Sequence, residues 1–106
     1  MSQEPSPKIA YLQSYIRAKD FHPELKELYF MCLAEEVGEL SRAMRKHLRP
    51  QTPGQLKNTI EEELWDVMYY AIAIANLYAI DLDEVIRRKE EINNAKHGNA
   101  VTYAPE

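Results

Sequence analysis

The chain has a single cysteine, Cys32, among its 106 residues. No intrachain disulfide can form and no cysteine zinc cluster can be built, a usage that fits a reducing cytoplasm. Basic side chains are outnumbered by acidic ones, 13 against 17, which leaves a formal net charge of -4. That balance excludes the basic stripe with which a protein neutralises duplex phosphates, so no nucleic-acid polymer is expected as a partner. A small anionic ligand needs only local positive charge or a metal. The opening MSQEPSPK has no apolar region of the kind a secretory signal needs. Long hydrophobic runs are missing too. The most apolar stretch, VMYYAIAIANLYAI, is shorter than the ~20 residues of a bilayer span and contains Asn76, so it reads as a core helix and no membrane is expected as a partner. No segment alternates with period two over a strand's length, and there is no Gly-rich phosphate loop, nucleophile elbow or Cys/His dyad.

What remains is all-α. A length of 106 residues with 45% hydrophobic content predicts one domain over 1–106, its core over about 7–98 and an irregular tail over 99–106. Proline and glycine divide the core into four helices. The first runs from about Pro7 to Lys19, and a turn at DFHP follows. The second starts with Pro23 at its first position and continues to about Leu48. Thr52, Pro53 and Gln55 read as N-cap, first turn and capping-box partner of a third helix reaching about Ala79. Asp81 and Glu84 repeat the box for a fourth, which ends near His97 with Gly98 placed to terminate it. The third helix is apolar almost all round from Trp65 to Ile80. Burying every face of one helix in so small a domain calls for a second subunit, so a four-helix bundle-like fold assembling as a homodimer or larger oligomer is expected.

Two helices carry acids where a core face should be. At about 100° per residue, Leu25, Leu28, Tyr29, Cys32, Leu40 and Ala43 share one arc, and Glu36 and Glu39 fall inside it, with Glu35 at its edge. On the third helix Glu63 lies in the middle of the arc of Ile60, Val67, Tyr70, Ile74 and Leu77, and Asp66 lies at its margin. Spacing of three puts each pair on adjacent turns, so two antiparallel helices can bring Glu36, Glu39, Glu63 and Asp66 together. Four close carboxylates repel one another and desolvate at several kcal/mol apiece unless a cation sits among them. Oxygen ligands alone favour Mg²⁺, with Mn²⁺ as a substitute. A di-iron bundle needs Glu-x-x-His motifs, and the chain has none. On the fourth helix Lys89, Asn93 and Lys96 fall among Leu82, Val85, Ile86 and Ile92, a basic face suited to phosphate oxygens. Glu61, Glu62, Arg42, Arg45 and Lys46 read as solvated charge, and His47 and His97 as last-turn cations. Trp65, opposite the acids, reads as an inter-subunit anchor.

EEVGEL, EEELWDVMYY and DLDEVIRRKEEINNAKHG, within about residues 21–98, resemble the MazG-like, all-α nucleoside triphosphate pyrophosphohydrolases. By that resemblance Glu36, Glu39, Glu63 and Asp66 match magnesium ligands in E-x-x-E and E-x-x-D motifs, and Lys89, Asn93 and Lys96 match a phosphate-side K-x-x-x-N-x-x-K pattern. FHPELKEL is similar to the approach segment of a dCTP pyrophosphatase branch, which implies Phe21 and His22 near sugar or base. Glu24 and Leu25 stand where that branch has Arg and Asn, and SRAMRKHL lacks its tryptophan. The expected activity is Mg²⁺-dependent hydrolysis of a nucleoside triphosphate, a deoxynucleotide above all, to the monophosphate and pyrophosphate in nucleotide-pool house-cleaning. Glu36 takes part through the metal, and Glu35 orients or deprotonates the water. The rival readings are a non-catalytic helical oligomer binding nucleotide or a protein partner, and a metal-binding structural bundle.

Overall fold

Pro23 opens a short 3₁₀ turn, Pro23–Leu25, that leads directly into the longest helix, as its fixed φ and missing N–H favour. The computed structural model describes residues 6–97 and 101–104, and all of its regular structure is helical: α1 (Ile9–Lys19), the 3₁₀ turn, α2 (Lys26–Arg45), α3 (Ile60–Leu77) and α4 (Leu82–His97). Asp81 caps α4 as expected, accepting the Glu84 N–H on Oδ1 at 3.4 Å. Gly98, expected to end that helix, lies outside the described residues. No described helix is long and apolar enough to cross a membrane.

The third helix begins later than Thr52. Gly54, at φ 83°, turns the chain after Pro53, and the Gln55 side chain accepts the Gln51 N–H at 2.8 Å instead of closing a box on Thr52. A second turn follows at Leu56–Thr59, with Asn58 at φ 66°. Thr59 is the true N-cap: its Oγ1 accepts the Glu62 N–H at 3.2 Å, while Glu62 Oε1 reaches back to the Asn58 N–H at 2.9 Å. The loop is closed by the Ile60 N–H donating to Leu48 O at 2.8 Å and by an Arg49–Glu61 ion pair. The late start puts Glu61, Glu62 and Glu63 in the first turn of α3, where the positive end of the helix dipole favours negative charge.

Helices α2 and α3 end alike. Leu48 N–H donates to Ala43 O and His47 N–H to Met44 O, and in the same way Ile80 N–H donates to Ala75 O and Ala79 N–H to Asn76 O. These are Schellman ends, in which the residue after the cap is left-handed. Here His47 (φ 53°) and Ala79 (φ 55°) hold that place instead of glycine. Ala79 is exposed, so Ala79→Gly removes a Cβ penalty of roughly 1 kcal/mol without opening a cavity. The variant is expected to melt several degrees higher than the parent by circular dichroism.

Helices α2 and α3 pack along their lengths. Leu48 meets Ile60, Glu36 meets Glu63, Tyr29 meets Tyr70, and Lys26 Nζ lies over the Tyr78 ring, so the two run antiparallel. Helix α1 packs on α3, and α4 makes its main contact with α1. The core joins Ile16, Tyr29, Ile72, Ala73 and Leu77, with Leu12, Phe21, Tyr69, Tyr70, Ile74 and Leu82 against it. Asn76, the polar break in the apolar run, is buried but satisfied. Its Nδ2 donates to Gln13 O at 2.9 Å and its Oδ1 accepts from Gln13 Nε2 at 3.1 Å. The same Gln13 side chain binds Ile80 O and the Leu82 N–H, so one residue of α1 clamps the α3–α4 corner. The expected all-round burial of α3 is met only in part: Ile72, Ala73, Ala75, Asn76 and Leu77 are buried, whereas Leu64, Trp65, Met68, Ala71 and, just past the helix, Tyr78 and Ile80 remain exposed.

Candidate active site

Antiparallel packing sets the turn of α2 that carries Glu36 against the first turns of α3. Glu36, Glu63 and Asp66 each offer a carboxylate oxygen, and the three oxygens lie within 4.8 Å of one another. Glu63 is 7% exposed, and its Oε2 is buried without a hydrogen-bond partner. Burial pushes the Glu36 carboxyl up to about 7, helped by its hydrogen bond with Glu63 and by the charges of Asp66, Glu63 and Glu39. Glu63 and Asp66 are also raised, again by burial first. Such a cluster is under electrostatic strain, and an orphaned buried carboxylate oxygen is the complement of a hard divalent cation. The donor set therefore fits Mg²⁺ or Mn²⁺.

Glu39 is not among the three. It lies one turn further along α2, exposed, with Oε2 4.0 Å from Arg42 Nη1, yet its charge is close enough to raise both Glu36 and Glu63. Glu35 is exposed on α2. Lys89 and Lys96 are exposed on α4, and half-buried Asn93 donates to Glu90 Oε2 at 3.2 Å. Because α4 packs mainly on α1, the basic face does not reach the carboxylates by helix packing within one protomer. Periodicity also undervalued Glu62. It is half-buried, and its charge raises Glu63 and Asp66, a role its i,i+4 spacing from Asp66 could have signalled.

One turn from the acids along both helices lies a cavity of about 180 Å³. Leu25, Leu28 and Cys32 make its apolar wall; His22, Asp20 and the rings of Tyr29 and Tyr70 make the rest. Cys32 stands four residues before Glu36, and Tyr70 four after Asp66. The Tyr70 hydroxyl pKa is raised by burial first, then by the neighbouring Cys32 thiol, and in part by the Glu36 charge. Cavity and carboxylates are thus neighbours along α2 and α3. His22 borders the cavity, whereas Phe21 packs against the core under the Arg17 guanidinium, 4.3 Å from the ring centroid.

The raised carboxyls fix the sign of a pH effect. A carboxylate whose folded pKa lies above its unfolded value of about 4.5 binds more protons in the native state, so stability is lost as pH rises from there toward 7. Glu61, held low by Arg49, acts oppositely, but below that window. The metal-free protein is expected to melt higher at pH 5 than at pH 7.5. Mg²⁺ should raise the melting temperature at pH 7.5 and barely change it at pH 5, as calorimetry with and without EDTA can measure.

The MazG nucleotide pyrophosphohydrolase domain family matches residues 25–97, which includes all of α2, α3 and α4. Two crystal structures of iMazG from Vibrio DAT 722 are similar to this chain. The amino-terminally tagged form is 42% identical with a TM-score of 0.79, covering 88% of this chain and 100% of that one. The carboxy-terminally tagged form is 44% identical with a TM-score of 0.77, covering 83% and 99%. No curated protein sequence matches the chain. With three inward carboxylates inside the matched residues, the chain belongs to the MazG family and is a nucleoside triphosphate pyrophosphohydrolase.

Proposed function

We propose that the chain hydrolyses a deoxynucleoside triphosphate to the monophosphate and pyrophosphate with Mg²⁺, as a nucleotide-pool house-cleaning enzyme. The observation that carries this reading is the meeting of Glu36, Glu63 and Asp66 from two helices around the unpartnered Glu63 Oε2. These three, with Glu39 from the next turn, would hold the metal. A divalent cation bound there supplies neutralisation of the triphosphate and a lowered pKa for the attacking water. Glu35, on the turn of Glu36, orients that water and accepts its proton. Lys89, Asn93 and Lys96 hold phosphate oxygens beyond the metal's reach. The apolar cavity takes sugar and base, His22 at its edge, and a 2′-hydroxyl placed against Leu25, Leu28 or Cys32 would lose its hydrogen bonds. Incubation with each ribo- and deoxynucleoside triphosphate and Mg²⁺, with products resolved chromatographically, tests the reading. Monophosphate plus pyrophosphate from a deoxynucleotide is the expected result. Diphosphate plus phosphate contradicts it, and nucleotide bound without any product supports a non-catalytic binding module instead.

We further propose a homo-oligomer, a dimer or a dimer of dimers. Phe30, Val37 and Met44 recur every seven residues on the outer face of α2, and all three are exposed. Leu64, Trp65 and Met68 extend the uncovered apolar surface on α3. Light scattering should give a multiple of the 12.4 kDa chain mass at micromolar concentration. A monodisperse 12.4 kDa species contradicts the assembly and removes the anchor role of Trp65.

A further inference from the structure

The corner between α1 and α2 holds an acid that the proposed chemistry does not use. Asp20, the residue after α1, accepts a hydrogen bond from Tyr29 Oη on Oδ1 at 2.5 Å and one from Tyr69 Oη on Oδ2 at 3.0 Å. Tyr29 belongs to α2 and Tyr69 to α3, so one carboxylate ties three helices together. Burial and the neighbouring Asp20 push both phenol pKa values up, which keeps the hydroxyls as donors. Asp20, Tyr29 and His22 line the same cavity, and Asp20 stands two residues before His22 in the turn. The carbonyl of His22 accepts the Leu25 N–H at 2.9 Å. The turn at His22 is therefore held between the Asp20 anchor and the bond to Leu25, while the imidazole stays exposed at the cavity edge.

Packing alone does not require this latch. Phenylalanines at 29 and 69 with an apolar residue at 20 would fill similar volume without desolvating a carboxylate. A polar network that fixes the backbone of one cavity residue is, by contrast, how a binding wall is preorganised. We propose that Asp20 is a positioning residue for nucleotide binding: anchored on Tyr29, it holds the turn that presents His22 as the wall of the cavity that receives the sugar and base. The proposal rests on the reading of that cavity as the nucleoside end of the site. The Asp20 carboxylate is bonded to the two phenols and is not part of the Glu36, Glu63 and Asp66 cluster. Tyr69 ties Asp20 to α3 but does not line the cavity, whereas Tyr29 does, so the two tyrosines have different consequences.

Calorimetric binding of the four α,β-imido deoxynucleoside triphosphates with Mg²⁺ separates these roles without depending on turnover. Asp20→Asn and Tyr29→Phe should each weaken the tightest of them by about tenfold, the size of effect that loss of an orienting contact carries. Tyr69→Phe should lower the melting temperature yet keep affinity within about threefold, and all three should bind Mn²⁺ alone as the parent does, by electron paramagnetic resonance. Asp20→Asn combined with His22→Ala should cost no more than His22→Ala alone, because one acts through the other. If Asp20→Asn misfolds, Tyr29→Phe carries the same expectation. Parental affinity in Asp20→Asn and Tyr29→Phe overturns the proposal. So does an equal loss in Tyr69→Phe, which marks a structural role only, or additivity with His22→Ala. A parent protein that binds none of the four nucleotides removes the nucleoside-pocket reading, and the Asp20 proposal with it.

Discussion

Glu36→Gln, Glu63→Gln and Asp66→Asn are each expected to lower kcat/KM by roughly 100-fold or more while the protein stays folded. Loss of an outer contact to a metal ligand already costs about 10–100-fold, and these three substitutions remove the ligands themselves. The accompanying stability change is the sharper signature. Each substitution removes one charge from a group of carboxylates whose pKa values are raised by burial and mutual repulsion, so the metal-free variants should melt higher than the metal-free parent at pH 7.5. Glu39→Gln is the internal contrast. Its side chain is exposed beside Arg42, so it should lose activity with little change in metal-free stability. Near-parental rates in the Glu36, Glu63 and Asp66 variants at saturating Mg²⁺ would falsify the metal-site assignment.

Lys89→Met and Lys96→Met are expected to weaken nucleotide binding or turnover by about 10- to 100-fold each, the equivalent of the ~1.5–3 kcal/mol of a charge-assisted contact. Methionine keeps the apolar stem, so a lysine that merely covers neighbouring carbons loses little by the change. Mn²⁺ binding without nucleotide should be unaffected. Both lysines are exposed on α4, which packs on α1 and not along the carboxylate helices. A loss of affinity would therefore show that bound triphosphate, or a second protomer, bridges two parts of the fold that helix packing leaves apart. Equal activity in the double variant and the parent removes the phosphate role and leaves the carboxylate site standing.

Helical phase is local, and this is why the acids were legible. Glu36 and Glu63 share arcs with Leu25, Tyr29, Ile60 and Tyr70 whatever the rest of the chain does, so two inward carboxylates could be placed from spacing alone. The family motifs were legible for the same reason, since each lies within one helix. Phase does not determine rotamer: Glu39 sits in the same arc as Glu36, but its carboxylate turns toward Arg42. The start of α3 was misplaced because Thr52-Pro-Gly-Gln55 and Thr59-Ile-Glu-Glu62 both look like capping boxes. Gly54 and Asn58, both left-handed, decide for the second. Which helix covers α4 is a tertiary choice that periodicity does not contain. Asp20 looked like an ordinary turn residue in DFHP, because the tyrosines that define it lie nine and forty-nine residues further on.

The site built on Glu36, Glu63 and Asp66 is expected to direct water to the α-phosphorus of a nucleoside triphosphate. Hydrolysis in H₂¹⁸O with Mg²⁺, followed by mass spectrometry of both products, tests it most directly. Attack at the α-phosphorus places one heavy oxygen in the nucleoside monophosphate and none in the pyrophosphate released from it. Label in the pyrophosphate, or in inorganic phosphate released beside a nucleoside diphosphate, would mean that another phosphorus is attacked and would contradict the account.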